Sequence, residues 1–249
     1  MIWHRCHGSQ QIKPIDGVLY RLVESQEQIA TNGYVDTLDE QAVLETLLDQ
    51  TKPAYGEANQ DDVHYLFKTP FRYPPLPWGS RFGRRHERGI FYGGRGVEVT
   101  LAESAFYRFV FWFSIDAKPV KAMIKSQHHL FSVEYASQNA VQLQSAAFAA
   151  EQSLLTHASD YRACQRLGAD MREAGVDAFE YTSARDPEQG VCVGLFNIAP
   201  LVMKEPKTKT SWFCEVSAQR VAFSEYGSSQ VMSFSVSDFL VDGEFPQPA

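Results

Sequence analysis

At 249 residues, with 44% hydrophobic and 21% charged residues, the chain has the composition of a folded globular protein and not of a disordered one. Its 23 Lys and Arg against 30 Asp and Glu leave a net charge of -7, which excludes a surface built throughout to coat nucleic acid but allows a local basic cleft. The four cysteines, Cys6, Cys164, Cys192 and Cys214, form no CxxC pair, so neither a zinc knuckle nor a disulfide framework is signalled, and a reducing cytoplasm is the expected setting.

The opening MIWHRCHGSQQ has no apolar core of signal-peptide length, and the apolar run Phe106 to Ile115 is too short to span a bilayer, so no membrane association is expected. His4, Cys6 and His7 fit no common closed zinc site, and no metal is expected. Residues 17–23 then read as a short strand with Tyr20 and Arg21 near its middle. From Thr37 to Gln50, Leu38, Val43, Leu44, Leu47 and Leu48 recur at the spacing of an amphipathic helix, ended by Pro53. Residues 52–63 are loop-like, and residues 64–68 read as another strand. Four prolines between Thr69 and Gly79 predict a stiff, extended loop without helix.

That loop delivers SRFGRRHER to a buried strand over residues 89–92, followed by a turn over residues 93–96. From Leu101 to Phe113 apolar residues crowd almost every helical face, which predicts a deeply buried helix. Residues 118–124 and 129–134 read as successive strands, and residues 145–174 as one or two helices stopped at Gly175. Strands follow over residues 176–181, 191–196 and 199–203, around the loop TSARDPEQG, with further extended segments over residues 212–223 and 231–236. Strands outnumber helices without alternating strictly with them, which predicts an α+β domain: a mixed, mainly antiparallel sheet with packed helices.

One stretch, RFGRRHERGIFYGGRGVEVTLAESAFYR, carries more chemistry than any other. Arginines grip diphosphates through charge-assisted hydrogen bonds, an aromatic ring flanks a flat base, and a carboxylate stabilises a cationic sugar. Each residue also has a plain structural reading. Thr100-Leu-Ala-Glu103 matches a capping box, with Glu103 reaching back to the cap amide. Arg81, Arg84, Arg85 and Arg88 read equally as a solvated loop, a nucleic-acid patch or a grip on a phosphorylated ligand, while Gly79 and Gly83 would let backbone approach that ligand closely. Tyr92 reads as a core ring whose hydroxyl finds a partner, and Ser183 as a turn residue lacking the GxSxG setting of a hydrolase nucleophile.

Together, Tyr20-Arg21, SRFGRR, GIFYGG, LAESAFYR and YTSARDPEQGVCVGLF resemble the RES domain family, whose members are often toxins of bacterial toxin-antitoxin pairs. The resemblance implies a compact single domain over residues 1–249 related to ADP-ribosyltransferases, with a core over about 18–204, an insertion over about 24–63 and an extension over 205–249. It also implies an enzyme that consumes NAD as a substrate without a cofactor, by hydrolysis, phosphorolysis or ADP-ribose transfer to a protein. On that reading Glu103 is the catalytic carboxylate, supported by Arg81. Arg21 and Arg81 hold the phosphates or ribose with Tyr20 adjoining, Tyr92 lines the nicotinamide side, and Ser183 hydrogen-bonds the substrate. The partner implied is a helix-turn-helix (Xre-type) antitoxin covering the active site, with a homodimer as a further expectation and no direct nucleic-acid contact. The insertion, about forty residues between Arg21 and Arg81, is tolerable because loop-closure cost grows only logarithmically. Two rival functions stand beside this one: an RNA-cleaving toxin using His64 or His86 as acid and base, and a non-catalytic protein-binding domain.

Overall fold

The computed structural model describes residues 1–25, 35–53, 62–73, 75–116 and 122–248. Eight strands form one sheet in the order β1-β2-β5-β4-β3-β6-β7-β8, with an additional pairing of β1 to β3. The strands are β1 Lys13–Glu24, β2 Phe91–Gly94, β3 Ile124–Gln142, β4 Ala178–Thr182, β5 Val191–Leu195, β6 Thr208–Val216, β7 Arg220–Glu225 and β8 Met232–Ser235. Every pairing is antiparallel except β3 with β4. The pairings β1-β2-β5-β4-β3-β1 close on themselves, and β6, β7 and β8 extend the sheet outward from β3.

The 19-residue β3 makes this possible by changing partners along its length. Residues 124–132 pair with β6, residues 128–140 with β1, and residues 140–142 with β4. The sequence predicts two short strands here; the structure has one long strand from Ile124, and most of the expected strand over 118–124 lies outside the described residues.

Alternation of side chains across each strand divides the core into separate clusters. Inside the ring, Leu19, Phe91, Phe131, Val133, Val193 and Leu195 pack together. On the outer face of β4 and β5, Phe179, Tyr181 and Cys192 pack against α6 (Arg162–Glu173) and the chain start, including Trp3 and Cys6. The third cluster joins Phe106 and Phe109 of α4 (Val97–Phe113) to Trp212, Cys214, Val221 and Phe223 of the outward strands and to Phe239 beyond them. Fully buried rings of this kind stabilise the fold by about 1.5–3 kcal/mol each.

Several local expectations change. Residues 64–68 do not form a strand: α3 spans Tyr65–Arg72, with the His64 side chain accepting from Leu66 N and Pro70 inside the helix. Pro70 is the sixth residue of this eight-residue helix, in its second turn, where it costs the helix one backbone hydrogen bond. Residues 199–203 make only an isolated bridge, Tyr135 to Leu201. Gly93 and Gly94, expected in a turn, belong to β2. Helix α2 (Leu38–Thr51) matches its expected span within one residue, while the helices of 145–174 are a 3₁₀ turn Ala146–Glu151, α5 Gln152–Leu155 and α6. Gly175 ends α6 at φ +75°, as its stop position predicts.

Candidate functional site

A cleft of about 350 Å³ opens between α4, β1, β2 and the loop 76–81. Arg21, Arg81, Tyr92 and Glu103 all line it. Two glycines permit this convergence. A Cβ at Gly94 would sit 2.6 Å from Thr100 Oγ1, so only glycine lets the start of α4 lie directly over β2. A Cβ on Gly168 of α6 would sit 1.8 Å from Phe82 O, so α6 presses equally closely on the loop that carries Arg81.

Helix α4 begins four residues before its expected start. Gly96 is the N-cap, and Thr100 lies within the helix, donating to Gly96 O at 2.7 Å and to Tyr20 O at 3.2 Å. The capping-box reading of Thr100 and Glu103 is therefore incorrect, and Glu103 is free for another task. Its Oε1 accepts a hydrogen bond from Ser183 Oγ at 2.6 Å, and among the described residues Oε2 accepts none. Ser183 also closes a turn, its Oγ accepting from Arg185 N at 3.0 Å and Asp186 N at 3.1 Å. Those two amides fix the hydroxyl as an acceptor and leave its proton for Glu103. Ser183 thus stands behind the carboxylate and does not line the cleft. The Cys192 thiol lies 3.8 Å from the same oxygen, and burial, reinforced by Glu103, keeps its pKa well above the ordinary thiol value.

Arg81 is 5% exposed and spans the loop and α5: Nη1 donates to Leu155 O at 3.1 Å and His157 O at 2.9 Å, and the guanidinium lies over the Tyr161 ring. Its Nη2 is buried without a hydrogen-bond partner. Arg21 donates from Nη1 to Tyr92 O at 2.5 Å, while its Nε is likewise buried and unpartnered. Burial lowers the Arg21 pKa to about 10, which leaves it charged at neutral pH. Two guanidinium groups thus line one cleft, each with a buried donor that is costly to leave without an acceptor, an arrangement suited to an anionic ligand.

Tyr92 shapes the loop from within. Its hydroxyl accepts from Phe82 N at 3.1 Å and lies 3.0 Å from Ser80 Oγ, and burial raises its pKa. Gln165 of α6 holds the same loop by donating to Trp78 O at 2.8 Å and Ser80 O at 3.1 Å.

Tyr20 departs from expectation. It does not line the cleft, and its ring packs with the α4 cluster. Arg84, Arg85 and Arg88 also stay outside the cleft. Arg84 pairs with Glu87, and Arg88 lies over the Phe71 ring. Of the arginine cluster only Arg81 enters the site. His64 and His86, the acid and base of the RNA-cleaving reading, do not line this cleft. Among the described residues no group of three or more His, Cys, Asp or Glu side chains is placed to hold a metal ion, and no helix is long and apolar enough to cross a membrane.

The structure adds cleft residues that the sequence reading missed: Ser104, Tyr107 and Arg108 on α4, Glu24 on β1, His128 on β3 and Tyr181 on β4. One signal for them existed. Thr100, Glu103, Ser104, Tyr107 and Arg108 follow the i, i+3, i+4, i+7, i+8 spacing of a single helical stripe, a polar seam in an otherwise apolar helix.

No curated protein matches the chain. Among solved structures, a chain of the crystal structure of the M. tuberculosis MbcT-MbcA toxin-antitoxin complex is similar in fold, with TM-score 0.51 at 9% identity over 84% of this chain and 91% of that one. The family model described as the RES domain matches residues 56–217, a span that holds Arg81, Tyr92, Glu103 and Ser183, and on that match the chain belongs to the RES domain family.

Proposed function

We propose that the protein is the toxin of a toxin-antitoxin system and that it degrades NAD by breaking the nicotinamide-ribose bond. The observation that carries this reading is the convergence of unpartnered guanidinium donors on Arg21 and Arg81 with a carboxylate, Glu103, fixed on one oxygen and open on the other. The first two suit a diphosphate, and the third suits the ribose attached to it.

The chemistry then needs little from the protein. As the bond from C1′ to the pyridinium nitrogen breaks, its electron pair stays with nicotinamide, which leaves neutral without a general acid. Positive charge passes to the ribose, where Glu103 stabilises the oxocarbenium-like state. An acceptor oxygen, from water, phosphate or a protein side chain, bonds to C1′ and gives up its proton to Glu103 or to solvent. Holding the diphosphate converts remote binding energy into alignment at the reacting carbon. A helix-turn-helix antitoxin is the partner proposed to silence the enzyme; the structurally similar chain belongs to a toxin-antitoxin complex.

Mass spectrometry of NAD incubated with the purified protein, with and without phosphate, identifies the product and hence the acceptor. Replacing Glu103 with Gln keeps shape and removes charge. Turnover is expected to drop by about 10²–10³-fold while NAD still binds, and full activity in that variant refutes the assignment.

A further inference from the structure

Resting on the NAD reading, the walls of the cleft give it a direction. On α4 the lining runs from Glu103 to Arg108, about 7.5 Å along the helix axis. On β1 it runs from Arg21 to Glu24, about 10 Å along the strand. The two walls meet where Arg108 Nη2 pairs with Glu24 Oε2 at 3.0 Å. Once the nicotinamide ribose lies at Glu103 and the diphosphate at Arg21 and Arg81, the next group toward that pair is the adenosine ribose. We infer that Glu24, held in place by Arg108, reads the adenosine 2′-hydroxyl and selects NAD over NADP.

Accessibility separates the two partners. The Glu24 side chain is 59% exposed and the Arg108 side chain 21%, so an incoming ligand meets the carboxylate first. A carboxylate accepts hydrogen bonds from a vicinal diol and repels a phosphate ester at the same carbon, whereas a free arginine would welcome that phosphate. Arg108 is not free: its charge is spent on Glu24. The third group at this end, His128, is 2% exposed, its Nε2 lies 2.9 Å from Ser126 Oγ, and burial together with Arg108 pulls its pKa down to about 4. His128 is therefore neutral at physiological pH and adds no positive charge to attract a 2′-phosphate.

The test compares kcat/KM for NAD and NADP in the wild type, Glu24→Gln and Glu24→Gln/Arg108→Met. Dissociation constants for both dinucleotides are measured in the Glu103→Gln background, where binding is read without turnover. The wild type is expected to favour NAD by about tenfold or more, and Glu24→Gln to lower that ratio by about tenfold, chiefly by improving NADP. Adding Arg108→Met should cancel the gain, because the released guanidinium is what would hold the 2′-phosphate. A ratio that moves by less than about threefold in Glu24→Gln, a wild type that favours NADP, or a gain that survives Arg108→Met overturns the inference while leaving NAD degradation standing. If neither dinucleotide binds or is consumed, the NAD reading itself falls, and this inference with it.

Discussion

Glu103 and Ser183 lie 80 residues apart in sequence and meet at 2.6 Å, a contact that sets the orientation of the carboxylate. A glutamate in a cleft has several rotamers, and the hydrogen bond to Ser183 selects one before substrate arrives. Because two backbone amides already bind the serine oxygen, the hydroxyl cannot rotate away without leaving an amide unsatisfied. Ser183→Ala is expected to lower kcat by about 10–100-fold with a much smaller change in KM, since what is lost is alignment at the reacting carbon and not the grip on the diphosphate. Steady-state kinetics separate the two: a change confined to KM would instead make Ser183 a substrate ligand. The same pair shows why a serine that looks like a turn residue can be both structural and functional, since one hydroxyl accepts for the turn and donates to the site.

At the scale of elements, the site depends on two close approaches, α4 over β2 and α6 against the Arg81 loop. Gly168→Ala tests the second. The added methyl meets a backbone carbonyl and not a flexible side-chain end, so the loop or the helix must move. Destabilisation of about 1–3 kcal/mol is expected, together with weaker NAD binding as Arg81 shifts, and thermal unfolding beside a binding titration measures both. Such approaches explain what the sequence could and could not convey. Residues 191–196 and the helix from Thr37 read nearly as they fold, because period and breakers decide them locally. The start of α4 did not, because Thr100 presents a plausible cap while the true N-cap is a glycine without a side chain to signal it. Tyr20 was unreadable for a related reason: sharing a motif with Arg21 says nothing about reaching the same cleft, which Arg21, Leu22 and Glu24 of this strand line and Tyr20 does not. Arg108, Glu24 and His128 come from three elements brought together only by the closed ring of strands, so spacing along the chain could not group them.

Across the whole molecule, β3 pairs with three other strands, β1, β4 and β6, and His128 sits where two of them flank it. It faces Glu24 of β1 on one side and Trp212 of β6 on the other. In the folded protein its imidazole is neutral because burial, and then Arg108, lower its pKa from about 6.5 to about 4, with Glu24 opposing and His129 adding to the effect. The unfolded chain binds a proton near the ordinary pKa, so between pH 6.5 and 4 the unfolded state carries more protons and stability falls with acidification. The shift is worth on the order of 3 kcal/mol once the pH is below both values. His128→Gln keeps a hydrogen-bonding group toward Ser126 and removes the titration. Its stability, measured by denaturant unfolding, is therefore expected to decline less steeply than the wild type's between pH 6.5 and 4, the difference closing as the wild-type curve loses His128's contribution. Parallel curves over that range would mean that His128 is charged in the folded protein, and that the junction of the ring with the outward strands tolerates a buried cation beside Arg108.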